Sequence, residues 1–384
     1  MKDPDLARVF ENAFPSTTDT TIKFHTDGKS IKFMDIGSSF GSGGKWEGPQ
    51  SFVITGDINA EWLRDSANQL SPYHTLAKAD PAIHTLLLGA INTQAEYIIE
   101  SPYCNAFQPP PITNLPPSAN KQQDTVHPMY EPTFVFECKY ELDSLAHFLA
   151  LTNDFYESTG STEFLHSRWI TALETLLDVL KQQAKPTFDP KTGKFERNKY
   201  TFQRKTDLGT ETLNLKGIGN PLNSGTNLIR SAFRPSDDAT VFGFFIPANA
   251  QIAAELMRTG AILEKSGQSD LSRSVLDWGK LIFDAVWKHG VVKHPKFGDV
   301  FAYEVDGYGS HIFMDDANYP SLLALPVMGF LERSNPVYQN TRRMVLSSDY
   351  NPYYIVGSEF RGIGGNVPYR SPPSGPDPTR HTCS

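Results

Sequence analysis

Apolar residues return at helical spacing in stretch after stretch of this chain, and several of these stretches are entered through a loop crowded with carboxylates and aromatic side chains. Ile83, Leu87, Ile91 and Ile98 follow Asp80, an N-cap residue type, and Pro81, which suits the first helical position. Trp169, Leu173, Leu176 and Leu180 repeat the pattern, as do Leu271, Val275, Trp278, Ile282 and Val286. Val241, Phe245, Ala248, Ile252 and Leu256 make a further helix, in which Pro247 predicts a kink. Strand-like runs are short, at residues 21–24, 31–34, 200–203 and 300–305. Helices outnumber strands and the two do not alternate as a parallel sheet requires, so the expectation is an all-α fold with a few short strands.

At 384 residues the chain can bury a sizeable core. Lys and Arg number 35 against 43 Asp and Glu, a net charge of −8, which argues against a protein that works by neutralising phosphates; no nucleic-acid partner is expected. Aromatic residues make up 12 %, enough to line a cleft. No run approaches the roughly 20 apolar residues of a membrane span. The opening MKDPDLARVFENAF lacks the apolar core of a signal peptide, so the chain as written is expected in the cytosol. A secretory location would need an N-terminus longer than this one. Cys104, Cys138 and Cys383 match no zinc-ligand spacing and are too few for a disulfide framework; all three are expected to be structural or incidental. Asn-x-Ser/Thr acceptors are absent, which argues against a glycosylated product. No phosphate-binding loop, HExxH or paired CxxC occurs, and neither a cofactor nor a metal is expected.

Two segments differ in composition. Residues 102–132 hold eight prolines and read as a long surface loop able to wall a cleft. Residues 366–384 hold five prolines in 19 positions without apolar periodicity, the pattern of a tail outside any domain.

Four junctions carry the groups that could do chemistry. Residues 55–73, TGDINAEWLRDSANQLSPY, gather Glu61, Trp62, Arg64 and Asp65. An indole covers the apolar face of a pyranose, while carboxylate and guanidinium fork its vicinal hydroxyls. The same residues would also serve as an exposed helix start with a capping Asp and one core Trp. Residues 233–249, FRPSDDATVFGFFIPAN, place Arg234, Asp237 and Asp238 before an apolar helix, either as caps or as a site where one carboxyl holds a proton for general-acid work. Residues 303–326 repeat the theme with Asp315 and Asp316 before an expected helix; upstream, His311 reads better as a packed histidine than as a ligand. Residues 134–145 set Glu137, Glu141 and Asp143 at a helix beginning, the first two on one face, where the alternative is a solvated acidic stripe.

The stretches TGDINAEWLRDSANQLSPY, FECKYELDSL, FRPSDDATVFGFFIPAN and HIFMDDANYPSLLALP, followed by SSDYNPYYIVGSEFRGIGG, resemble glycoside hydrolase family 125, the exo-α-1,6-mannosidases, and in particular its fungal members of the meiotically up-regulated type. The resemblance implies an (α/α)₆ toroid of about twelve helices and a metal-independent, inverting hydrolysis that releases non-reducing terminal mannose from α-1,6 linkages in a mannose-containing oligosaccharide. In such a mechanism one carboxylic acid protonates the leaving oxygen and a carboxylate about 6.5–9.5 Å away activates water. The resemblance puts the general acid in RPSDD, at Asp237 with Asp238 as the second choice. It puts Trp62, Arg64, Asp65, Arg234, Asp315 and Asp316 around the mannose, with Glu61 and Glu137 in support. The family's general base is a Glu in a later segment, and residues 366–384 contain no Glu. The expected domain is therefore residues 1–365, a toroid left incomplete at its C-terminal side, with 366–384 as a tail and with hydrolysis impaired. The alternatives are a non-catalytic mannoside-binding protein and, more weakly, a toroid enzyme acting on α-glucosides.

Overall fold

The computed structural model describes residues 2–29 and 48–364. The strand expected at 31–34 and the tail at 366–384 lie outside the described residues. Nine α-helices are described: α1 (Pro4–Ala13), α2 (Leu63–Leu70), α3 (Pro81–Glu100), α4 (Leu142–Thr159), α5 (Ser167–Gln183), α6 (Asn214–Gly217, a single turn), α7 (Ile246–Lys265), α8 (Ser269–Ala285) and α9 (Pro336–Val345). They agree with the mostly helical expectation. Asp80 caps α3 as its residue type predicts, its carboxylate accepting from the N–H groups of Ala82 and Ile83.

Helices α7 and α8 pack along each other as a hairpin. Helices α2, α4 and α7 pack in turn against one another, and α3 packs on α5 outside them. This is an arc of a helical toroid, with an inner and an outer layer. The core is continuous across it, from Leu87 and Ile91 of α3 through Phe148 and Trp169 to Ile252 and Ile282. Helices α7 and α8 approach closely because Gly260 and Gly279 face each other's helix: a Cβ on Gly260 would stand 2.5 Å from Leu276, and one on Gly279 would stand 2.9 Å from Met257.

Short strands brace the entry of each inner helix. Strand β3 (Glu61–Trp62) pairs with β4 (Ala106–Phe107), which pairs with β6 (Val135–Glu137). Strand β8 (Phe244–Phe245) pairs with β11 (Glu304–Val305), and β11 with β12 (His311–Ile312). All of these are antiparallel, and all lie at the end of the molecule where α2, α4 and α7 begin.

Five expectations are corrected. The helix read from Val241 begins at Ile246, so Pro247 sits in its first turn, where a missing N–H is no loss, and makes no kink. Val241 is exposed in the preceding loop. No helix follows Asp315 and Asp316: residues 321–330 form turns, since Pro320 and Pro326 interrupt them and the Asp315 carboxylate accepts the N–H groups of Leu322 and Leu323. Glu137 lies on a strand, and with Glu141 and Asp143 it is buried, not part of a solvated stripe. Cys104 and Cys138 form a disulfide, because pairing of β4 with β6 brings their Cα atoms to 3.9 Å across 34 residues of sequence. His311 is exposed, its ring 4.6 Å from that of Phe313.

Candidate active site

Residues 55–65 form the first wall of the candidate site. Side chains on β3 alternate, so Glu61 points into the core while Trp62 points out. Inside, Glu61 accepts from the Ser66 hydroxyl at 2.7 Å and from the N–H of Val53 at 3.3 Å. Outside, the Trp62 ring packs against Phe136 at 5.3 Å. The loop ahead of it is closed by Trp62 N–H donating to Thr55 Oγ1 and Ala60 N–H donating to Ile58 O. Arg64 and Asp65 follow in the first turn of α2. Together with Asp57 and Ile58 they bound a cavity of about 450 Å³, whose opposite side is Pro235, Ser236, Asp237 and Asn318.

The second wall is the turn at 234–238. Asp237 N–H donates to Arg234 O, and Arg234 N–H donates to Asp238 O. Asp237 takes a left-handed conformation with φ 67°, which costs a non-glycine residue about 1 kcal/mol or more and aims its carboxylate at the cavity. Asp238 turns elsewhere: it accepts from the Ser236 hydroxyl, and burial raises its carboxyl above the usual range. Lys139 Nζ stands 3.5 Å from Asp237 Oδ1 and 3.4 Å from Glu137 Oε1.

Charge behind the walls holds them in place. Arg64 Nη1 donates to Glu141 at 2.6 Å and to Asp143 at 3.0 Å, while Nη2 lies 3.5 Å from Asp65. Burial pulls this guanidinium down, but the charges of Glu141, Asp143, Asp65 and Asp237 outweigh it and push it well above its ordinary value. Burial in turn raises Glu141 and Asp143 above the ordinary carboxylate range in spite of Arg64. Asp65 is raised by burial, opposed by Arg64 and reinforced by the like charge of Asp237. Two carboxyls thus face one cavity, that of Asp65 raised above its ordinary range by its burial.

Arg234, Asp315 and Asp316, expected around the sugar, lie outside the residues that line this cavity. Arg234 is buried, its Nε donating to Glu304 at 2.6 Å. Glu304 also accepts the N–H groups of Val241 and Phe242 and so anchors the loop ahead of β8. Asp316 accepts from the Tyr303 hydroxyl and from Asn318 N–H, which sets the orientation of Asn318 at the cavity wall. Asp315 caps the turns of 321–330. Trp62, Arg64, Asp65 and Asp237 are brought together; Asp238, Arg234, Asp315 and Asp316 support them from behind. Lys139 and Asn318 were not singled out from sequence. The signal for Lys139 was a cation inside the otherwise acidic and aromatic run FECKYEL.

The arrangement suits a polyol that presents an apolar face to Trp62 and hydroxyls to Arg64 and Asp65, next to a carboxyl able to exchange a proton. A second cavity of about 400 Å³ lies farther along α2 and α4. There Arg258 is taken up by Asp154, Glu157 and Glu255 at 2.6–2.9 Å, so it offers a hydroxyl pair little free donor capacity. No helix among the described residues is long and apolar enough to cross a membrane.

Residues 3–370 match the family model described as metal-independent α-mannosidase (GH125). The chain is 53 % identical over 365 residues to the meiotically up-regulated gene 157 protein of Schizosaccharomyces pombe, an alignment covering 95 % of this chain and 68 % of that protein. Among solved structures it superposes on a metal-independent α-mannosidase of Streptococcus pneumoniae, determined as a non-productive complex with α-1,6-mannobiose. The TM-score is 0.79 at 30 % identity, covering 95 % of this chain and 77 % of that one.

Proposed function

Since the chain belongs to glycoside hydrolase family 125, the metal-independent α-mannosidases, we propose that the cavity between Trp62 and Asp237 takes the non-reducing terminal mannose of an α-1,6-linked mannoside. The observation that carries this reading is the position of Asp237, held in a left-handed turn across the cavity from Trp62, Arg64 and Asp65. Trp62 covers the apolar face of the sugar. Arg64, immobilised by Glu141 and Asp143, presents its remaining donors to vicinal hydroxyls, and Asp65 accepts from them. Asp237 is the general acid that protonates the glycosidic oxygen, in an inverting displacement by water. The catalytic domain in this reading is residues 1–365. The α-1,6-mannobiose bound by the Streptococcus pneumoniae relative supports the linkage.

No described residue is assigned to activate the water. A second reading is a mannoside-binding protein without turnover. The disulfide adds a point about location: thiols stay reduced in most cytosolic proteins, so we assign the protein to an oxidising compartment in place of the cytosol expected from its N-terminus.

Incubation with α-1,6-, α-1,2- and α-1,3-mannobiose, followed by proton NMR, tests the proposal. Mannose released from the α-1,6 isomer alone, appearing first as the β-anomer, is expected, with Asp237→Asn lowering its rate ~10²–10⁴-fold. Cleavage of the other isomers but not of this one refutes the linkage. Thermal stabilisation by mannose with no cleavage, unchanged in Asp237→Asn, decides for the binding protein.

A further inference from the structure

Lys139 sits in the segment that joins β6 to α4, with its side chain buried against the Phe233 ring, 5.5 Å from the ring centre. From there it reaches forward to Asp237 and sideways to Glu137. Glu137 is itself tied to Arg204 at 2.9 Å, and Arg204 to Asp124 at 2.7 and 2.8 Å. Asp237 is half exposed on a strained turn, and Lys139 is the ion-pair partner recorded for it among the described residues.

The backbone that carries Lys139 is pinned from several sides. Lys139 N–H donates to Asn105 Oδ1 at 3.0 Å. The Tyr200 hydroxyl donates to Cys138 O and accepts from Tyr140 N–H, bracketing Lys139 in sequence. The covalent tie is the Cys104–Cys138 disulfide, which joins the residue before Lys139 to the residue before Asn105.

We infer that Lys139 is a positioning residue for Asp237, and that the Cys104–Cys138 disulfide holds Lys139 in place. Its importance for catalysis rests on the reading of Asp237 as the acid; the contact itself does not. The disulfide is buried, but a cavity of about 250 Å³ is lined by Cys104 and Cys138 together with Pro128, Met129 and Lys199, the side from which a small dithiol would approach it. A dithiol such as dithiothreitol can break the S–S bond there. Two electrons and two protons pass to the cysteines, giving two thiols, and the reagent closes to its own cyclic disulfide.

Hydrogen–deuterium exchange on the full chain tests this without any sugar. Lys139→Met is expected to accelerate exchange across residues 234–238 by ~10-fold, the loss of one charge-assisted contact, while Lys139→Arg restores most of the protection. Dithiothreitol on the folded protein should reproduce part of the Lys139→Met effect and add little to it in that variant. Cys104→Ser gives the same comparison without reductant. Equal exchange at 234–238 in wild type and Lys139→Met overturns the positioning role. Reduction that loosens residues 102–108 but leaves 234–238 unchanged, or recovery of three free thiols from untreated protein, overturns the role of the disulfide. Failure of α-1,6-mannobiose to protect 234–238 counts against the mannoside reading alone.

Discussion

Arg64 and Glu61 show how differently neighbouring residues of one motif are used. Arg64 neutralises two carboxylates that have left water, so its removal strands them; Arg64→Met is expected to cost ~3–5 kcal/mol in urea denaturation, far more than an exposed ion pair would. Among the described residues Glu61 has no cationic partner within ion-pair distance, and burial pushes its carboxyl to about 8 from an ordinary 4.5. The folded state therefore binds a proton that the unfolded state has released. The stability this proton confers is complete below about pH 4.5 and is lost as pH rises through about 8. Asp315, also about 8, and Glu255, about 7, act in the same direction. Buried His74 and His147, lowered to about 4 and about 3, work oppositely, but only below their unfolded value of 6.5. Between pH 6.5 and 8.5 the carboxyls act alone, and Tm is expected to fall. Glu61→Gln should flatten that slope in a thermal melt across this range; a slope as steep as wild type would show that Glu61 is not among its sources. The sequence marked Glu61 and Trp62 as notable, yet the burial of the first and the outward, half-buried placement of the second follow from the alternation of β3, a two-residue strand that no periodicity can reveal.

At the scale of elements, the long helices were legible because a sustained 3.6-residue pattern can arise in few other ways. Helices α3, α5 and α8 lie where their apolar stripes predicted. Their contacts were not legible. Gly260 and Gly279 look like helix-weakening residues until α8 is seen against α7, where any side chain would meet Leu276 or Met257. Gly279→Ala is expected to destabilise by ~1–3 kcal/mol through overpacking, although Ala is the better helix former; a stabilised variant in calorimetry would contradict the close approach. The disulfide makes a related point. Cys104 and Cys138 flank a proline-rich loop and share no recognisable spacing, and only the β4–β6 pairing puts them together. Closing a loop of 34 residues removes unfolded-state entropy, so Cys138→Ser should lower stability by ~3–4 kcal/mol in equilibrium unfolding.

Across the whole molecule, the inner helices α2, α4 and α7 begin at one end, and the candidate site is assembled there from segments near residues 60, 140 and 237. A mannoside that fills the cavity should therefore slow exchange in residues 55–65 and 234–238 together, with 137–143 behind them, while α5 and α8 stay unchanged. Protection confined to one segment would mean that the ligand sits elsewhere. Residue types, helical periods and low-probability motifs are properties of the linear chain. By itself, the sequence determined the helical class, the family resemblance and the segments that carry the chemistry. Tertiary structure decided which carboxylate of the 237/238 pair looks into the cavity, which charges stand behind it, and that Lys139 meets Asp237 across about a hundred residues of chain. The physical reason is that burial and charge pairing are set by neighbours in space. Those neighbours come from strands of two or three residues and from single backbone dihedrals, features too short to leave a period in the sequence.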